Sequence, residues 1–158
     1  MRKRVTRPHD VQLGSQPDQG WLDLDEIASV EVTSEDPSFP IESAFGLKEG
    51  PGWRASQAGE QQIRLIFDKP VSIHRIQVSF CESETERTQE FILRWSPVTG
   101  VPATEIVRQQ WNFSPAGSTT EGEYYVVDLD AVSVLELAIQ PDLSRREAIA
   151  TLASWRLG

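Results

Sequence analysis

Cysteine is almost absent from this chain. Cys81 is the only one, so no disulfide framework can form within it. A single thiol suits a reducing compartment, and a cytoplasmic location is the expectation. Histidine is nearly as scarce, with only His9 and His74. Zinc therefore has too few soft ligands. A Ser/His/Asp arrangement would have to use His74, which sits at a strand start beside Ile73 and Ile76 and reads as a packed or turn-exposed residue. No Gly-x-x-x-x-Gly-Lys loop and no dinucleotide fingerprint occur. Nor is there a long hydrophobic run. The first ten residues, MRKRVTRPHD, are charged like the start of a secretory leader, but the polar stretch VQLGSQPDQG follows in place of an apolar segment. Neither secretion nor a membrane span is expected.

Positive charge is also scarce outside the N-terminus. The net charge is −9, yet the first nine residues hold Arg2, Lys3, Arg4 and Arg7 and no acid. The remainder is strongly acidic and repels phosphate backbones, so nucleic acid is not an expected partner. Residues 1–20 carry few apolar side chains, with Pro8, Gly14, Pro17 and Gly20 among polar ones; they read as a disordered, solvated tail. Residues 21–158 read as a single domain. The full length of 158 residues is enough to bury roughly two-thirds of the unfolded surface.

What that segment does contain is alternation. Ile63, Leu65 and Phe67 share one face, and Asp68-Lys69-Pro70 breaks the run. Ile76, Val78 and Phe80 alternate next, then Phe91, Leu93 and Trp95, and a turn follows at Ser96–Gly100. Trp111 and Phe113 share a parity. Tyr125, Val127 and Leu129 alternate, as do Leu135, Leu137 and Ile139. The chain closes on Leu152–Gly158. Two short helical turns are predicted, over Leu22–Ile27 and over Ser144–Ala150, the second with the capping pattern Ser144-Arg145-Arg146-Glu147. Many short strands separated by turns predict an all-β sandwich or barrel, not alternating βα units. Trp53, Trp95 and Trp155 fall in register with apolar neighbours and are predicted core residues.

Four stations in this order resemble a known family. They are Ala44-Phe45-Gly46 through Trp53, Ile63 through Phe80 with its Phe67-Asp68-Lys69-Pro70-Val71 turn, Arg87 through Ser96, and Leu152 through Gly158. Together they are similar to the galactose-binding-like domains: the discoidin or coagulation-factor 5/8 C-type domains and related carbohydrate-binding modules. The resemblance implies a jelly-roll β-sandwich that binds in its end loops and catalyses nothing. Many members hold a structural calcium with an Asp and a Thr of the first motif and a Glu of the last. Here Phe45 stands near the Asp position, no Thr lies between Gly46 and Trp53, and Ser154 replaces the Glu. Glu42 and Glu49 are the substitutes considered, and no metal or other cofactor is expected.

The candidate ligand contacts are Arg87, Trp111, Glu84 and His74. In sugar-binding relatives an Arg between the middle strands bonds adjacent hydroxyls through its planar fork, and Arg87 matches that position; it can equally pair with Glu84 or Glu86. Trp111 precedes the turn-rich loop Ser114–Thr120, where an aromatic face can stack on a sugar ring; alternatively Trp111 and Phe113 point inward together. Glu84 lies in the acidic run Glu82–Glu86, either a solvated loop or a set of acceptors for sugar hydroxyls or a basic partner. Carbohydrate recognition is the leading expectation. A protein–protein adaptor of the same fold, as in DNA-repair scaffolds and ubiquitin-ligase subunits, is the alternative.

Overall fold

A computed structural model describes residues 20–46 and 50–158. The expected 1–20 tail, Gly20 excepted, and Glu49 lie outside these residues. Two short helical turns, α1 (Leu24–Ile27) and α2 (Glu42–Phe45), flank the first strand, β1 (Ala28–Val32). The remaining elements are all strands: β2 (Trp53–Ala58), β3 (Gln61–Cys81), β4 (Arg87–Ser96), β5 (Thr104–Phe113), β6 (Thr120–Gln140), β7 (Ile149–Leu152) and β8 (Ser154–Leu157).

Two long strands organise the sandwich. β3 and β6 pair antiparallel from Gln61↔Ile139 to Cys81↔Thr120. Near its start β3 also pairs with β1, and near its end, from Ile76 to Ser79, with β8. The second half of β6 pairs with β4, which pairs with β5, giving the order β1-β3-β6-β4-β5. The break predicted at Asp68-Lys69-Pro70 is a bend inside β3, not its end. Between Ile66↔Val134 and Val71↔Val132, β3 advances five residues while β6 advances two. The surplus turns Asp68, Lys69 and Pro70 out to solvent, where Pro70 forfeits no ladder hydrogen bond. β6 answers with its own extra residue between Leu129 and Val132, where Ala131 takes the left-handed φ of 54°. Both strands thereby turn across the sandwich, and Phe80 from the far half of β3 meets Phe91 of β4 at 5.2 Å between ring centres.

The alternation read from sequence is the burial pattern observed. Ile63, Leu65, Phe67, Ile76, Val78, Phe80, Phe91, Leu93, Leu135, Leu137 and Ile139 are all buried. Trp53 and Trp155 are buried core residues as expected, each contributing about 2–3 kcal/mol through removal of apolar surface from water. Trp95 differs: it is half-buried at the core's margin, because the strand ends one residue later in an exposed turn. Phe45 packs on Trp155 at 6.1 Å. The closing segment is two strands. At Ala153, whose N–H donates to Ser79 O at 2.8 Å, the chain leaves its partner β2 and joins β3. The predicted helical turn over Ser144–Ala150 is absent. The Ser144 hydroxyl and N–H both donate to Asp142 Oδ1, at 2.8 and 3.0 Å, so the local capping pattern is spent on a loop.

Candidate functional site

At the end of the sandwich where β3 finishes, the two-stranded β2–β7 sheet stands beside the loop 82–86. Thr151 Oγ1 donates to Cys81 O at 3.1 Å and fixes β7 against that loop. Gly52 allows the approach on the other side. Its φ is +74°, and a side chain there would run into the Leu152 carbonyl. Between these segments lies a cleft of about 590 Å³, walled by loop 82–86, Arg87, residues 50–54, Phe39 and residues 147–153.

Arg87 is the buried anchor of this end. Its side chain is fully enclosed, and its guanidinium lies over the Phe113 ring at 4.9 Å. Nε donates to Glu82 Oε1 at 2.8 Å, and Nη1 donates to Gln89 Oε1 at 3.0 Å and to Pro141 O at 2.8 Å. One cation thus holds both loops that flank the cleft. Nη2 is buried with no hydrogen-bond partner among the described residues, which is a costly state.

Glu82 completes the loop. Its other carboxylate oxygen accepts the N–H groups of Glu84 and Thr85 at 3.1 and 3.2 Å. Burial alone would raise its pKa, but the Arg87 bond and the two backbone donors outweigh it and hold the carboxyl below its ordinary value. Across the gap, the 141–148 loop is fastened by Arg146. Its Nε donates to Asp142 Oδ2 at 3.0 Å and its Nη2 to Glu86 O at 3.1 Å. Asp142 is buried, which by itself raises its pKa; the Ser144 and Arg146 donors bring it below the usual range. On the β2 side, Arg54 lies 4.5 Å above the Phe39 ring, with Phe39 held by its carbonyl accepting the Arg54 N–H at 3.2 Å.

Behind Arg87 a polar chain runs inward. Gln89 Nε2 donates to Glu121 Oε1 at 3.4 Å. Gln89 and Glu121 are fully buried. Burial first, and then the neighbouring Glu123, push the Glu121 pKa up to about 8, so it is mostly protonated at neutral pH.

The four sequence candidates separate in space. Arg87 and Glu84 both line the cleft, although Arg87 pairs with Glu82 instead of Glu84 or Glu86. His74 stands at the far end of the second half of β3, exposed, with Nδ1 3.8 Å from Asp128. Trp111 is half-buried on the edge strand β5, packed against the core, with its indole N–H donating to Ser118 Oγ at 3.0 Å. Phe39, Arg54 and Glu147 join the cleft without having been singled out from sequence as ligand contacts. They come from three distant segments; Glu147 was read only as the end of a capping pattern, and the DPSFP turn marks Phe39 locally. Among the described residues no group of three or more His, Cys, Asp or Glu side chains is placed to hold a metal ion. Ser154, expected to stand where a calcium ligand would be, shares a hydrogen bond with the Ser79 hydroxyl at 2.6 Å. Nor is any described helix long and apolar enough to cross a membrane.

No protein-family model matches this sequence, and no curated protein matches it. Solved structures do. One is a pectin-binding carbohydrate-binding module, at TM-score 0.58 and 17% identity over 84% of this chain and 90% of that one. Another is the family 32 module of NanJ from C. perfringens in complex with galactose, at TM-score 0.61 and 14% identity over 87% and 96% of the two chains. A third is the family 32 module of AlyQ in complex with 4,5-unsaturated mannuronic acid, at TM-score 0.58 and 13% identity over 89% and 98%. At these identities the likeness is one of fold, and the fold of this chain is the galactose-binding-like jelly-roll β-sandwich of the carbohydrate-binding modules.

Proposed function

We propose that this protein is a non-catalytic carbohydrate-binding module, with residues 21–158 as the binding unit and the sugar seated in the cleft between loop 82–86 and the β2–β7 pair. The carrying observation is the cleft's composition. Its volume of about 590 Å³ suits a small ligand. Its walls, braced by the enclosed Arg87, offer the Arg54 guanidinium, the carboxylates of Glu84 and Glu147, and the Phe39 ring. Sugars need such a mixture, with fixed donors and acceptors for hydroxyls and an aromatic face for C–H surfaces. The sugar complexes among the structural neighbours support the same reading. So does the commitment of Glu82 to Arg87 and to two backbone donors, which ties a cleft carboxylate to structure and not to proton transfer. A cytoplasmic setting belongs to this proposal and rests on Cys81, a free exposed thiol in the cleft wall.

An adaptor surface would call for a contiguous exposed apolar patch. Among the described residues the exposed large apolar side chains instead come from separate segments: Val98 and Val101 in one loop, Val126 on β6, Leu143 in the 141–148 loop and Ile149 on β7. Calorimetric titration with a panel of galacto- and gluco-configured oligosaccharides tests the proposal. Saturable binding that disappears in Phe39→Ala and Arg54→Ala proteins of unchanged fold is the expected result. No binding to any member of the panel contradicts it.

A further inference from the structure

A buried polar chain links the two loops beside the cleft to a carboxyl inside the sandwich. Glu121 and Gln89 are fully buried, and the Arg87 side chain next to them is enclosed. Gln89 stands in the middle. Its Oε1 accepts from Arg87 Nη1 at 3.0 Å, and its Nε2 donates to Glu121 Oε1 at 3.4 Å. On either side of it one buried polar atom has no partner among the described residues: the donor Arg87 Nη2 and the acceptor Glu121 Oε2. The remaining Arg87 bonds run outward, to Glu82 of loop 82–86 and to Pro141 O at the root of the 141–148 loop. The surroundings of Glu121 are simple. Its register partner on β3 is the apolar Phe80. Arg87 and Gln89 face it from β4, and Glu123 from its own strand, with Tyr125 donating to Glu123 at 3.5 Å.

We infer that Glu121 is a positioning residue for the cleft and works as a proton-controlled latch: while it is protonated Arg87 holds both loops, and loss of the proton draws the guanidinium inward and loosens them. An ionised carboxylate in this buried place needs a charged or donating partner, because an unpaired buried charge is costly. Arg87 Nη2 is the unpartnered donor of the cluster. A bond between guanidinium and carboxylate is about twice as strong as a neutral one, and the Pro141 carbonyl that Arg87 now holds is a neutral acceptor. Glu82 is charged but partly exposed, so its pull is better screened than that of an ionised Glu121. Nη2 makes no bond to Oε2 as the side chains stand, so the guanidinium must move to reach it. Its fork is planar and rigid, and Nη2 cannot advance without carrying Nε and Nη1 away from Glu82 and Pro141. The change stays local, because the Arg146 bonds to Asp142 and Glu86 do not involve Glu121. Burial and the Glu123 charge both favour the protonated form and place the transition near pH 8. The loops are held below that value and loosened above it. The latch belongs to the cleft walls and stands whatever the cleft binds.

The experiment is carbon-detected NMR on the full, isotopically labelled chain without ligand, from about pH 6 to about 9.5, a range that brackets the Glu121 transition. It follows the Glu121 carboxyl carbon, the Arg87 side chain, the Pro141 carbonyl and the backbone of 82–86. All four are expected to shift with one midpoint near 8. In Glu121→Gln, whose amide keeps the shape of the protonated acid, the Arg87, Pro141 and 82–86 signals are expected to stay flat across the range. Glu123→Gln removes the neighbouring charge, so it is expected to lower the Glu121 midpoint and to carry the loop transition down with it. That second variant keeps the test in force where the first does not fold. A Glu121 carboxyl that titrates while Pro141 and the loop stay fixed overturns the latch. So does a Glu121 already ionised at pH 6, a loop transition that persists unaltered in Glu121→Gln, or one that stays put when Glu123→Gln moves the Glu121 midpoint. Since no ligand is present, none of these outcomes bears on carbohydrate binding.

Discussion

Arg87 Nε and Glu82 Oε1 meet at 2.8 Å, joining the first residue of β4 to the acidic loop that borders the cleft. The Arg87 side chain is fully buried and that of Glu82 is 18% exposed, so the pair is poorly screened. Removing one partner strands the other charge. Glu82→Ala is expected to cost about 3 kcal/mol in denaturant unfolding and to release the N–H groups of Glu84 and Thr85 from their common acceptor. Because the Glu82 and Asp142 pKa values are held low in the folded state, their contribution is present above the unfolded-state carboxylate range and fades as pH falls through the folded values. A Glu82→Ala melting temperature equal to that of the parent would show that the pair contributes nothing.

Glu121 has the opposite sign. Its folded pKa is raised from 4.5 to about 8, so folding favours the protonated form. The stability that accompanies this is fully present below about 4.5 and is lost as pH rises toward 8. Denaturant unfolding measured across that interval should show a decline that Glu121→Gln flattens, since the amide keeps the shape without the charge. A Gln variant with the parent's alkaline slope would place the titration elsewhere.

Trp111 has a structural role on this account. It packs against the core from the edge strand and bonds Ser118, while its neighbours Gln110 and Asn112 face solvent, as their parity predicts. Trp111→Ala is expected to cost about 2–3 kcal/mol, below the 3–5 kcal/mol of a fully buried aromatic because one side already meets water. Sugar affinity of the folded fraction should be unchanged. A stable Trp111→Ala protein that has lost its glycan binding would move the site to β5.

The sandwich was legible because period-two alternation is local. Leu135, Leu137 and Ile139 announce a buried face within five residues, and the long-range pairing with β3 only confirms it. Continuity across Asp68-Lys69-Pro70 was not legible, because a bulge and a strand end carry the same residues. The loop after Pro141 was misread as a helical turn because Asp142, the buried acceptor that captures Ser144 and Arg146, lies just upstream of the capping pattern. Arg87 and Glu84 could be picked from a motif and an acidic run. Arg54, Phe39 and Glu147 become neighbours only through the β2–β7 pairing and the turn docked on Arg54, and no spacing in sequence encodes that.

The most direct test of the cleft is a titration of the isotopically labelled protein with a bound oligosaccharide, followed by amide chemical shifts. The account predicts that the largest changes fall on loop 82–86, residues 50–54 and residues 147–151, with those around His74 and Trp111 unmoved. Shifts concentrated on 110–118 or near His74, with the cleft silent, would contradict it.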